Sequence, residues 1–143
     1  MLAAVDLVGS WHLVQWRVTS EGKTVRYPYG HDAEGLLIYS PDGTMSACIQ
    51  TPKRPGLGAA PRRASDAHRA AAFDGFFCYA GTWRVTGHDV VHQVELSLNP
   101  DFPGSEQRRR ASLVDDVLTL RAVETQGEQT REHELTWKRR RLP

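Results

Sequence analysis

Every second residue from Val90 to Leu98 is apolar except His92. A period of two over that length specifies a strand with one buried face, so the face that should be buried carries an imidazole. The next strand, Ser105 to Val114, places Gln107 and Arg109 on the same parity as its apolar Ala111 and Leu113. Polar side chains turned inward on adjacent strands need partners or a purpose, because each one buried without a hydrogen bond costs on the order of 1–3 kcal/mol. The purpose expected here is a small-molecule pocket.

Strand signals of this kind recur along the chain, separated by short turns. Gly9 to Val18 is rich in β-branched and aromatic residues, and Thr24 to Tyr27 reads as a short returning strand. Gly35 to Ser40 and Thr44 to Gln50 flank Pro41-Asp42-Gly43, where proline presets the turn and Asp-Gly supplies the positive-φ position. Cys78 to Thr86 turns through Gly87-His88-Asp89 into Val90 to Leu98. After a loop come Ser105 to Val114, Val117 to Val123 and Gln129 to Arg139. Two stretches break the pattern. Pro52, Pro55, Gly56, Gly58 and Pro61 make 51–64 a loop long enough for a lid or binding loop. Ser65 to Phe76 is helical, with Ser65 or Asp66 as N-cap, helix-favouring alanines and Gly75 near the end. The expectation is an all-β fold: a closed antiparallel up-and-down barrel of 8–9 strands, with one short helix (about residues 65–76) capping or flanking one end. It forms a single domain over 1–143 and ends in a short basic tail, 139–143, read as solvated.

Composition excludes several classes. A formal net charge of +1 over 143 residues argues against a nucleic-acid partner. No apolar run approaches the roughly 20 residues of a membrane-spanning helix. The first residues lack the basic region of a signal peptide, so a cytoplasmic protein is expected. Cys48 and Cys78 have neither CxxC nor zinc-ligand spacing and read as free, buried thiols, with a disulfide between them left open. No histidine cluster survives the period test for a metal site, and no P-loop, dinucleotide fingerprint or Gly-x-Ser-x-Gly occurs. Neither a metal nor a cofactor is expected.

Several segments carry a family resemblance. Gly9-Ser10-Trp11-His12-Leu13 resembles the Gly-x-Trp entry strand of lipocalins. Tyr27-Pro28-Tyr29-Gly30, the run from Gly35 to Ser46, Tyr79-Ala80-Gly81-Thr82-Trp83 and His92 to Ser97 are similar to the bacterial and fungal lipocalin-like domain family. So are Pro100, Gly104 and Glu106-Gln107, and the likeness runs from about Val8 to Lys138. The resemblance implies a short barrel with a central cavity. It also implies a setting in secondary metabolism, since members often accompany small-molecule biosynthetic genes. A shared fold says less about function than about architecture.

An eight-stranded barrel has an interior just wide enough to be filled by side chains or to hold one small ligand. Alternation turns inward Leu37 and Tyr39; Met45, Ala47 and Ile49; and Tyr79, Gly81, Trp83 and Val85. It does the same for Val90, His92, Val94 and Leu96, for Gln107 and Arg109, and for His133, Leu135 and Trp137. His92, whose ordinary pKa lies near neutrality, suits proton transfer, and Arg109 would meet a carboxylate, phenolate or enolate. These two are the catalytic candidates; Tyr39, Met45, Tyr79, Trp83, Gln107 and His133 are the ligand-binding candidates. Each also has a plainer role. His92 would be a core histidine satisfied by the Tyr79 hydroxyl or a carbonyl, Arg109 an outward arginine, and the tyrosines core aromatics. Trp11, Trp83 and Trp137 are expected to plug the barrel base. The function expected is binding of a small, partly apolar, oxygen-bearing molecule. One alternative is a cofactor-free cyclase or isomerase with His92 as general acid/base on a polyketide-like or aromatic substrate. The other is a homodimeric scaffold using an outward patch of Val14 and Trp16.

Overall fold

A computed structural model describes residues 2–141, the side chain of Gln126 excepted. It contains β1 (Gly9–Ser20), β2 (Lys23–Arg26), β3 (Glu34–Tyr39), β4 (Thr44–Gln50), β5 (Phe76–Thr86), β6 (Asp89–Ser97), β7 (Glu106–Val114), β8 (Val117–Gln126) and β9 (Gln129–Arg139). Strands β3 to β9 follow one another in sheet order, and β1 pairs with both β3 and β9. The sheet therefore closes into an antiparallel barrel of eight strands, with β2 an extra strand hairpinned onto the far half of β1. The expected closed up-and-down barrel is what forms. Closure depends on the length of β1: Gly9 to His12 pair with β3, while the other edge follows β9 from Trp11 to Thr19. The eight barrel strands close on one another, and among the described strands β2, paired with β1 alone, keeps an unpaired edge.

The turns obey local chemistry. Between β3 and β4, Gly43 takes φ 92° and the Asp42 carboxylate accepts the Thr44 N–H. The helix α2 (Asp66–Asp74) starts at Ser65, whose hydroxyl accepts the His68 N–H, and stops at Gly75. It flanks the barrel rim without burying any residue of its own, and Phe73 remains half exposed. Arg54 Nη2 donates to the Ala72 carbonyl, and Thr51 N–H to that of Gly75, so the long loop is tied back to the helix.

The lower end, where β1 begins and β9 ends, is sealed. A four-residue helix that the sequence did not announce, α1 (Ala4–Leu7), drops Leu7 fully into the interior. Trp11, Trp83 and Trp137 are 0%, 9% and 2% exposed, in keeping with the expected plug. Trp11 Nε1 donates to the Leu7 carbonyl, and Arg139 lies over the Trp11 ring, its guanidinium carbon 4.3 Å from the centroid. The same guanidinium donates to the Asp6 and Val8 carbonyls and pairs with Asp116. Arg141, its side chain 69% exposed, pairs with Asp116 in solvent, while the basic segment 139–143 is held at Arg139. Its last two residues lie outside the described ones.

Two bulges change which side chains face inward. On β1, Leu13 pairs with Trp137 and Gln15 with Thr136, leaving Val14 unpaired. Past that point the parity inverts, so Trp16 and Val18 join Trp11 and Leu13 on the inner side. The outward patch of Val14 and Trp16 therefore does not exist as expected: Val14 is half exposed and Trp16 faces the interior. On β6, Ala80 pairs with Leu96 but Gly81 with Val94, leaving Glu95 unpaired. Val90, His92 and Val94 stay buried, whereas Leu96, expected beside them, is 71% exposed.

Gly81 makes the second bulge sterically feasible. A Cβ built there would lie 1.9 Å from the Gln93 carbonyl oxygen, a backbone atom that cannot step aside. Gly81→Ala should therefore destabilise the protein by more than about 3 kcal/mol, beyond the usual range for a single substitution. Urea denaturation measures this, and a loss under about 1 kcal/mol would show that the bulge relaxes freely.

Candidate functional site

The interior divides into a packed lower part and a hollow upper one. In the packed part His92 is 2% exposed, with both ring nitrogens engaged. The Tyr39 hydroxyl lies 2.6 Å from Nε2 and the Tyr79 hydroxyl 2.6 Å from Nδ1. Strand geometry places them: Tyr39 closes β3, Tyr79 is an inward residue of β5, and His92 pairs with Trp83 and Gln107 across β6.

Proton counting constrains this chain. Burial, with the charge of Arg109 adding to it, lowers His92 to about 3, so the imidazole is neutral. Burial raises both hydroxyls above their ordinary pKa of 10; Tyr79 raises Tyr39 further, and Arg109 offsets part of the rise in each. A neutral imidazole has one N–H and one lone pair. One tyrosine therefore donates to the ring, the other accepts from it, and the accepting tyrosine keeps its own O–H to spare. Exchanging the two roles switches the imidazole tautomer, so it requires one proton supplied to the donating tyrosine and one removed from the accepting tyrosine.

Above this chain lies a cavity of about 530 Å³. Its aromatic walls are Trp16, Tyr29, Phe77 and Phe102. Trp16 packs against Tyr29 and Phe77 at centroid distances of 5.4 and 5.8 Å, and Phe102 bridges Phe77 to Tyr79. The polar groups are Gln107, Arg109, Glu124 and His133, with Arg26 at the mouth. Trp16 Nε1–H donates to His133 Nδ1 at 3.1 Å. An indole only donates, so His133 must carry its proton on Nε2, which donates to Glu124 at 2.8 Å. His133 is thereby locked in one tautomer.

Arg109 links the two parts. Its charge acts on His92, Tyr39 and Tyr79, yet it also lines the cavity. Its neighbours point outward, Arg108 and Arg110 both pairing with Asp89. Arg109 instead donates to the Arg108 carbonyl and, at 3.4 Å, to the Gln107 side-chain oxygen. Among the described residues it has no carboxylate partner.

Of the residues singled out from the sequence, Gln107, Arg109 and His133 line the cavity. His92, Tyr39 and Tyr79 come together below it, and Met45 (1% exposed) and Trp83 are packed core, Trp83 Nε1 donating to the Ser40 carbonyl. None of residues 51–64 lines the cavity; its mouth is formed by the β2–β3 and β6–β7 connections, through Pro28, Tyr29 and Phe102. Sequence reasoning missed Trp16, which the bulge turned inward, and Phe77, which shares parity with Tyr79 and was within reach of the same rule. No helix among the described residues is long and apolar enough to cross a membrane.

The buried histidine has a pH signature. The unfolded chain protonates His92 below its ordinary pKa of 6.5, whereas the folded chain keeps it neutral down to about 3. The unfolded state thus binds the extra proton across that window, and stability falls as the pH drops through it. This group alone should remove about 2 kcal/mol between pH 7 and pH 5. Urea unfolding of His92→Gln at both pH values should lack that increment. An equal pH loss in variant and parent would mean that the imidazole is not held neutral.

Comparison with known proteins places the fold. No curated protein matches the sequence. Among solved structures, a lipocalin-like protein from Bacteroides uniformis ATCC 8492 is 14% identical, with a TM-score of 0.52 over 94% of this chain and 99% of that one. An uncharacterized protein from Bacteroides eggerthii DSM 20697 is 12% identical, with a TM-score of 0.47 over 94% and 100% of the two chains. At 14% identity the first likeness concerns the fold alone. The model of the lipocalin-like domain family matches residues 8–140, nearly the whole chain, and the protein belongs to that family.

Proposed function

We propose that the protein binds a small, partly apolar molecule carrying an anionic oxygen, a carboxylate or a phenolate, in the cavity at the upper end of the barrel. The observation that carries this reading is the Arg109 guanidinium: half-buried, facing a cavity of about 530 Å³, and without a carboxylate partner among the described residues. A guanidinium withdrawn from water with its fork incompletely satisfied favours a planar oxyanion. The aromatic walls match an apolar or aromatic body, and a cavity of this volume lies in the range of small-ligand sites. Gln107, held beside Arg109, adds an amide that donates or accepts. His133 in its fixed tautomer and Glu124 give the opposite wall a polar edge. On the family resemblance, such a ligand would come from small-molecule biosynthesis.

A second reading, cofactor-free isomerisation or cyclisation, is favoured by the Tyr39–His92–Tyr79 chain. His92 would not touch the substrate, because both its nitrogens face tyrosines and it does not line the cavity. It would act through a tyrosine hydroxyl, as a positioning residue and proton conduit, while Arg109 stabilises the developing enolate. Binding is the simpler function and requires no movement of the chain.

The binding reading makes a charge-selective prediction. 2-Naphthoate should quench tryptophan fluorescence by entering beside Trp16, and Arg109→Gln should weaken it roughly tenfold to a hundredfold, the worth of one charge-assisted hydrogen bond. The neutral 2-naphthamide should bind parent and variant alike. Equal loss of both ligands, or no preference of the parent for the carboxylate, would sink the assignment of Arg109.

A further inference from the structure

We propose that Cys48 and Cys78 form a reversible disulfide between β4 and β5 on the outer wall of the barrel. The two residues are direct partners in the ladder, and both point away from the interior: Met45, Ala47 and Ile49 fill the inner side of β4, and Tyr79, Gly81 and Trp83 that of β5. Both thiols are free and partly exposed.

The hydrogen-bond phase of the ladder decides whether facing cysteines are close enough. Thr51 N–H donates to the Gly75 carbonyl, and Trp83 N–H to that of Gly43, so the pairs Gln50–Phe76 and Thr44–Thr82 are of the non-hydrogen-bonded kind. Cys48–Cys78 lies an even number of steps from each and is of the same kind. The Cys78 carbonyl confirms this, accepting from Leu98, the residue after β6, and therefore turned away from β4. Cα atoms of such a pair lie about 4.5 Å apart with side chains at their closest, at the short edge of the roughly 4.4–6.8 Å that disulfides span. Burial and the neighbouring Cys78 both push the Cys48 thiol up, which marks the sulfurs as neighbours.

The reaction is thiol–disulfide exchange with a low-molecular-weight disulfide. One thiolate attacks a sulfur of the oxidant and expels the first small thiolate. The second cysteine, deprotonated, attacks the mixed disulfide and expels the other. The two cysteines lose two electrons and two protons, and the small disulfide becomes two thiols. Both sulfurs are partly exposed on the outer wall, so a small thiol reaches the bond and it remains open to reduction. The ring it closes holds the 51–64 loop and α2, both of which cover little of the barrel. Constraining that ring in the unfolded chain raises stability in the oxidised form.

The test uses the full chain, reduced and then incubated with oxidised glutathione. Peptide mapping without reductant should give one Cys48–Cys78 cross-linked peptide, both thiols should vanish together, and dithiothreitol should restore them. The oxidised protein should melt several degrees higher. Cys48→Ser and Cys78→Ser should each hold one glutathione and show no such rise. Two glutathione-capped cysteines in the parent, a disulfide-linked dimer, or two thiols left unreacted would each overturn the proposal.

Discussion

The seam between β1 and β9 is the interaction on which the rest depends. It turns a nine-stranded antiparallel sheet into a closed eight-stranded barrel, and it does so along almost the full length of β1. The same strand has two incompatible duties: its first half must supply Trp11 and Leu13 to a packed base, and its second half must supply Trp16 to a cavity wall. Strict alternation satisfies both only because one extra residue, Val14, is accommodated between them. The seam is anchored at its lower end by Arg139, which joins β9 to Trp11 and to the carbonyls of Asp6 and Val8. It is anchored at its upper end by the Trp16–His133 hydrogen bond across the same pair of strands.

From this closure follows the division of the interior. Three tryptophans and Leu7 fill the base, so the hydrogen-bonded chain of Tyr39, His92 and Tyr79 sits in surroundings from which water is excluded. There an unmatched polar atom is costly; among the described residues the Trp137 indole N–H is left without a partner, whereas the two tyrosines complete the imidazole while leaving it uncharged. A charged histidine at this depth, beside Arg109, would be opposed by both desolvation and repulsion. Arg109 escapes the same penalty because its guanidinium reaches the cavity. Among the described residues it shares the cavity lining with one other cation, Arg26, and on the proposed function a ligand would neutralise it.

Much of the architecture was legible in the sequence because period-two patterning and turn chemistry act locally. The Pro41-Asp42-Gly43 turn, the Ser65 cap and the inward parity of Gln107 and Arg109 each follow from a few neighbouring residues. The bulges did not show, because an inserted residue leaves composition and local propensity unchanged while inverting everything after it. Trp16 and Leu96 were consequently assigned to the wrong faces. Gly81 was the available clue, an inward strand position without a side chain, whose need becomes evident only when Gln93 is seen against it. The pairing of His92 with two tyrosines was half legible: Tyr79 was within reach of the strand order, whereas Tyr39 lies three strands away. The separation of His92 from the cavity was not legible, since it depends on how deeply the tryptophan plug fills the base.

The central claim is that one end of the barrel receives an anionic ligand while the hydrogen-bonded chain beneath it stays closed. The most direct measurement is backbone and side-chain NMR of the protein titrated with an aromatic carboxylate. The account predicts that the Trp16 indole N–H, the Arg109 guanidinium and the Gln107 amide shift together with ligand, while the Trp11 and Trp83 indoles in the packed base stay unchanged. Shifts confined to the outer wall, or an equal response from the indoles of the base, would contradict it.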